Sequence, residues 1–187
     1  MTSKEVRQLF EQTGALLKGH FVLRSGRHSR EYFQCALALQ EMPTVERFGR
    51  ALANQVRDLA ATTVVAPAMG GLVIGQEIAR QLGLRFVFVE KENEMLVLSR
   101  GFRLCADERV LITDDVITTG GSVQETTNIV EQASATPVGI AAIVDRSGGQ
   151  VKFKYPLKTL LQLNVETFPP DDLPPDLRDT PAVKPGS

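Results

Sequence analysis

The chain has 187 residues, 43 % of them hydrophobic and 23 % charged, with 21 Lys and Arg against 22 Asp and Glu for a formal net charge of −1. That balance fits one soluble domain able to bury a core and excludes a bulk basic protein that grips nucleic acid by charge. No apolar run reaches the length of about 18 that spans a bilayer, the polar start Met1–Arg7 is unlike a secretory signal, and two distant cysteines, Cys35 and Cys105, argue against a disulfide framework or zinc site and for a reducing cytoplasm.

Apolar spacing predicts a first helix through Val6, Leu9, Phe10, Leu16 and Leu17, closed by Lys18-Gly19. Short apolar stretches follow at His20–Leu23 and Tyr32–Leu39, on either side of the turn Ser25-Gly26-Arg27. Pro43-Thr44 opens a second helix, with Val45, Phe48, Leu52, Val56 and Leu59 on one face. Beyond it, strands and helices alternate. Thr63–Ala66 reads as a buried strand, Leu72–Leu82 as a helix stopped by Gly83, and Phe86–Val89 as a strand. Met95–Leu98 and Gly101–Leu104 suggest a ribbon joined near Ser99-Arg100. Val110–Thr113 is a third core strand, 121–134 a helix, Val138–Val144 a fourth strand and Leu160–Leu163 a fifth. Continuous apolar strands alternating with helices predict an α/β fold, a mostly parallel sheet covered on both faces. Six of the ten prolines follow Thr167, so residues 168–187 read as an extended, disordered tail behind a domain spanning 1–167.

The stretch Val110-Leu111-Ile112-Thr113-Asp114-Asp115-Val116-Ile117-Thr118-Thr119-Gly120-Gly121-Ser122 carries the chemistry. It is an apolar strand, then paired acids, then a small hydroxylated glycine loop, then a helix. In an open α/β sheet such a loop lies at the carboxyl edge of its strand, where ligands bind. Backbone N–H groups of 119–122, the hydroxyls of Thr118, Thr119 and Ser122 and the positive end of the helix converge on one dianion, which suits a phosphomonoester. The loop holds no lysine, and neither G-x-x-x-x-G-K-[ST] nor G-x-G-x-x-G occurs in the chain. In extended chain, one of Asp114 and Asp115 faces a ligand while the other faces loop or sheet; a ribose diol with a metal or developing cation nearby would accommodate both.

This stretch resembles the phosphoribosyl pyrophosphate (PRPP) signature of type I phosphoribosyltransferases. Lys18-Gly19-His20-Phe21-Val22-Leu23-Arg24-Ser25-Gly26-Arg27-His28-Ser29, with Tyr32-Phe33 after it and Asp145-Arg146 later, is similar to the orotate phosphoribosyltransferase family. The resemblance implies the type I phosphoribosyltransferase fold with a base-binding hood from residues 1–40. It also implies transfer of the phosphoribosyl group of PRPP to orotate, giving orotidine 5′-monophosphate and pyrophosphate in pyrimidine biosynthesis, with Mg²⁺ held mainly by PRPP rather than by protein ligands. Under it, Asp114, Asp115, Val116, Ile117, Thr118, Thr119, Gly120, Gly121 and Ser122 bind PRPP with Lys91 and Arg24; Thr118, Arg146, Tyr32 and Phe33 bind orotate. A homodimer in the cytoplasm is implied, with no nucleic acid or membrane as partner.

Two segments depart from the family pattern. Val89-Glu90-Lys91-Glu92-Asn93-Glu94-Met95-Leu96 keeps only the first Lys and Glu of the family's mobile loop, and Pro67-Ala68-Met69-Gly70-Gly71 lacks the lysine common there. Both changes remove positive charge facing the leaving group, for which Lys91, Arg100 and Arg103 are the expected replacements, so Lys91 and Arg100 join Asp114 and Asp115 as catalytic candidates. Two other readings compete: a phosphoribosyltransferase for another base, and a non-catalytic PRPP-sensing regulator that binds nucleic acid.

Overall fold

The computed structural model describes residues 1–23 and 25–184. Helix α1 (Ser3–Gln12) starts on a capping box, in which the Thr2 hydroxyl accepts from the Glu5 N–H and the Glu5 carboxylate from the Thr2 N–H. It stops earlier than the periodicity suggests. The Thr13 hydroxyl turns back to the Leu9 carbonyl (2.8 Å), and Gly14 takes a positive φ of 67°. Leu16 and Leu17 therefore belong to β1 (Leu16–Val22), antiparallel to β2 (His28–Phe33). Then come the short helix α2 (Cys35–Leu39) and α3 (Met42–Val56), with Pro43 in its first turn, where a missing N–H costs nothing.

The main sheet begins at β3 (Thr63–Pro67), followed by α4 (Gly70–Leu82), which Gly83 ends in the left-handed conformation expected of a C-terminal glycine. β4 (Arg85–Glu92) turns at Asn93 and Glu94, both with positive φ, and pairs antiparallel with β5 (Met95–Val97). The ribbon thus forms one hairpin earlier than expected: β5 pairs back with β4, and residues 101–104 are not a strand. β6 (Arg109–Ile117), α5 (Gly121–Gln132), β7 (Thr136–Asp145) and β8 (Leu157–Gln162) complete the order β5-β4-β3-β6-β7-β8, parallel except for β5.

Side chains of the central strands alternate between two apolar layers. Val64, Leu111, Ala141 and Ile143 pack with Phe10, Phe48, Leu52, Ile74 and Ile78 of the helices on one face. Val65, Ile112, Ile140 and Ala142 pack with Val123 and Val130 of α5 on the other. Burial on both faces is what the continuous apolar strands require.

The proline-rich end corrects the expectation of disorder through residue 184. β9 (Thr167–Phe168) joins β2 as the third strand of a small sheet, and α6 (Pro175–Arg178) buries Leu177. Composition missed this because the anchoring is long-range and polar. Arg30 grips Asp176 through two bonds (2.7 and 2.8 Å) and Glu166 through a third (2.6 Å). Arg27 bonds both the hydroxyl and the carbonyl of Thr167.

Candidate active site

A cavity of about 770 Å³ opens where the carboxyl ends of β3 and β6 meet the small β1-β2-β9 sheet. Asp114 and Asp115 both line it, so the two acids share one cavity rather than dividing between ligand and sheet. Asp114 is 8 % exposed and Asp115 half-buried. The Asp114 carboxylate accepts from the Asp115 N–H (2.9 Å), and the Asp115 carboxylate from the Val116 N–H (2.8 Å). Burial, and then the neighbouring Asp115 charge, hold the Asp114 carboxyl well above the usual carboxylate range. Burial raises Asp115 too, against the bond from Val116. The backbone at Gly70 lies directly against this acid: a Cβ there would sit 2.6 Å from Asp115 Oδ1.

Most of the loop after β6 faces the cavity. Thr118, Thr119 and Ser122 line the cavity, as does Val116. Gly120 caps α5 with φ 80° and offers no side chain to its first N–H groups, which leaves them for a ligand. Ile117 differs from the other motif residues: its side chain is buried in the core, and its carbonyl accepts from the Arg146 N–H (2.8 Å). Gly120 is needed twice over, because a Cβ would also meet Val151 at 2.7 Å and Phe153 at 2.9 Å. Gly120→Ala is expected to cost about 1–3 kcal/mol, read as a drop in thermal midpoint of about 2–4 °C per kcal/mol; an unchanged midpoint would contradict this packing.

Arg146 projects into the same cavity from a turn organised by Asp145, which accepts from the Ser147 N–H (2.8 Å), the Ser147 hydroxyl (2.6 Å) and the Gly149 N–H (3.2 Å). The guanidinium stands 5.5 Å from the centre of the Tyr32 ring, and its buried Nε has no hydrogen-bond partner. Burial pulls its pKa down from the usual guanidinium value. Among the described residues no carboxylate lies within ion-pair distance of it. A desolvated cation without a counter-charge fits a planar anion that arrives from outside. Tyr32 and Phe33 line the cavity beside it, with Phe33 also packed edge-on against Phe10 in the core. Cys35 lies below them, and burial pushes its thiol up, away from thiolate chemistry.

The expected replacement cations separate. Lys91 lines the cavity, with its ammonium 3.9 Å from Glu94. Arg100 does not: it forks onto Glu90 (2.7 and 2.9 Å), and with Ser99 holds that carboxyl down at about 2. Arg103 is also absent from the lining; its carbonyl accepts from Arg85. Arg24 lies outside the described residues. Sequence reasoning missed the part played by Gly70 and the arrival of Lys184, which lines the cavity from the far end of the chain. The glycine pair at 70–71 was a usable signal; for the lysine no local signal existed.

A family model described as "Phosphoribosyl transferase domain" matches residues 37–172. The orotate phosphoribosyltransferase of Caldicellulosiruptor saccharolyticus is 47 % identical over 187 residues, covering 100 % of this chain and 98 % of the relative. The chain belongs to the orotate phosphoribosyltransferase family. Solved structures show the shared fold. The orotate phosphoribosyltransferase from Aeropyrum pernix superposes with a TM-score of 0.70 at 24 % identity, over 84 % of this chain and 93 % of that one. An adenine phosphoribosyltransferase from Thermoanaerobacter pseudethanolicus gives 0.62 at 19 % identity, over 71 % and 88 %. An adenine enzyme shares the architecture, so membership in the orotate phosphoribosyltransferase family rests on full-length sequence identity and not on fold.

Proposed function

We infer that the chain transfers the phosphoribosyl group of PRPP to orotate, and that Arg146 selects the base. The observation that carries this reading is a half-buried guanidinium against Tyr32, its buried Nε without a partner among the described residues, in the cavity that also receives the Asp114-Asp115 pair and the loop after β6. The 5-phosphate sits on the Thr118–Ser122 loop. The two aspartates hydrogen-bond the ribose hydroxyls and face the positive charge that develops at the anomeric carbon as its bond to pyrophosphate breaks and the bond to the base nitrogen forms. The nitrogen's proton passes to solvent. Lys91, at the cavity wall, neutralises the departing pyrophosphate. Incubation with Mg²⁺, PRPP and a panel of bases tests the reading: orotate is consumed and adenine or guanine is not.

Mg²⁺ fits this site. Asp114 and Asp115 present carboxylate oxygens to the cavity, while among the described residues no group of three His, Cys, Asp or Glu could cage the ion alone. PRPP oxygens would complete its shell, with the aspartates beside it, and the ion would supply charge neutralisation of the pyrophosphate. Within the same reading the enzyme is a cytoplasmic homodimer; Met69 (81 % exposed) at the cavity rim and Met95 (64 %) on the hairpin are apolar surface that a second copy would cover.

The placement of the two hairpin cations separates their variants. Lys91→Ala is expected to lower kcat by about 10²-fold or more, the scale of losing a preorganised charge at a leaving group. Arg100→Ala is expected to cost less than about fivefold, because that charge already serves Glu90. Equal losses in steady-state assays would return Arg100 to the catalytic set.

A further inference from the structure

Residues 167–184 are tied to the rest of the fold by several long-range contacts. Arg30 bonds Asp176 and Glu166 and lies 4.7 Å from the Phe168 ring centre. His20, itself buried, bonds the Thr180 carbonyl through Nδ1 at 2.7 Å, and its other ring nitrogen meets His28. Val183 then pairs with β1 in both directions: its N–H donates to the His20 carbonyl (2.8 Å), and its carbonyl accepts from the Val22 N–H (2.9 Å). That bridge fixes the backbone one residue before Lys184. The lysine is thereby delivered to the cavity wall formed by Val22, Leu23 and Ser25.

Charge accounting shows what it could serve there. Among the described residues lining the cavity, the cations are Lys91, Arg146 and Lys184, facing Asp114 and Asp115. PRPP brings a phosphomonoester and a pyrophosphate, and orotate brings a carboxylate. The loop after β6 takes the monoester and Arg146 the carboxylate. Among the described residues that leaves Lys91 and Lys184 for the pyrophosphate, beside whatever the expected PRPP contact Arg24 contributes, since the Pro67–Gly71 loop carries no cation. We propose that Lys184 is a substrate-binding residue whose ammonium pairs with the pyrophosphate of PRPP, positioned by the strap of residues 167–184. The proposal rests on the phosphoribosyl-transfer reading above.

Steady-state kinetics of the full chain with Mg²⁺ and varied PRPP or orotate test it. Lys184→Ala is expected to raise the KM for PRPP about five- to tenfold, with the KM for orotate and the thermal midpoint unchanged, and Lys184→Arg to restore most of the loss. Val183→Pro keeps the lysine but removes the N–H that docks the strap on His20, so it is expected to raise the KM for PRPP similarly. An unchanged KM for PRPP in Lys184→Ala, or a rise confined to orotate, overturns the proposal while the enzyme still turns over. Failure of the unmodified chain to consume orotate would instead reject the phosphoribosyl-transfer reading itself.

Discussion

Asp115→Asn is expected to lower kcat/KM by about 10²–10³-fold and, at neutral pH, to make the free protein more stable. The first effect follows from charge. The amide keeps an oxygen for the Val116 N–H (2.8 Å in the aspartate) but cannot stabilise an oxocarbenium-like sugar. The second follows from burial. Both carboxyls are raised above their ordinary values, chiefly by desolvation, so between about pH 3.9 and the raised value the native state binds more protons than the unfolded one. Stability therefore falls as pH rises through that window, as each carboxyl is made to ionise in its desolvated position. Removing one charge is expected to raise the thermal midpoint by about 2–4 °C at pH 7.5, on the scale of about 1 kcal/mol in a domain of this size, and the gain should vanish near pH 4. Asp114→Asn, at the more deeply buried position, should show the larger gain. On the acid side the unmodified enzyme should lose kcat/KM with an apparent pKa above the ordinary carboxylate value, a property of the pair rather than of either acid. Thermal melts across pH with parallel assays decide the matter. Retained activity, or a lower midpoint at pH 7.5, would contradict a charged pair held for catalysis at the expense of stability.

What the sequence disclosed and what it concealed divide along a physical line. The strand cores Thr63–Ala66, Val110–Thr113 and Val138–Val144 were legible because burial on both faces demands apolar runs, whereas the continuation of β6 through the two acids to Ile117 was not. The cavity-lining turn after β6 was legible because glycines, hydroxyls and acids sit side by side in the chain. Contacts between distant residues left no local trace. Nothing near Asp176 announces Arg30, and nothing near Lys184 announces the strand at Val22 beside which it enters the cavity. Short-range competition explains the other differences. Leu16 and Leu17 fit a helical spacing and an extended strand equally well until Gly14 breaks the helix before them. Arg100 reads as a free cation in sequence, yet Glu90 stands opposite it across the hairpin base and accepts from its Nε and one Nη.

Arg146→Leu is expected to raise the KM for orotate by about 10²-fold or more while leaving the KM for PRPP within about twofold. In the protein as folded, the guanidinium is held at the wall against Tyr32 by a turn that Asp145 fixes with three accepted hydrogen bonds, and its Nε is buried without a partner. A charged donor kept in that condition contributes nothing to folding that an apolar side chain could not replace. A bidentate carboxylate would satisfy it with two charge-assisted bonds of about 1.5–3 kcal/mol each, which sets the size of the expected loss. Discrimination follows from the same imbalance. Uracil, which lacks the carboxylate, leaves the half-buried cation and its Nε unpaired, and sites that must hydrogen-bond their substrate reject such analogues strongly. The leucine variant removes the penalty, so its orotate-to-uracil preference in kcat/KM should collapse by several powers of ten even though its absolute rate on orotate is poor. Arg146→Lys should recover less than a tenth of the loss, because a point charge cannot form the planar fork. Stability should be equal or slightly higher in the leucine variant, since a desolvated charge has been removed. A KM shift on PRPP instead of orotate, or an unchanged preference for orotate over uracil, would place the base elsewhere in the cavity.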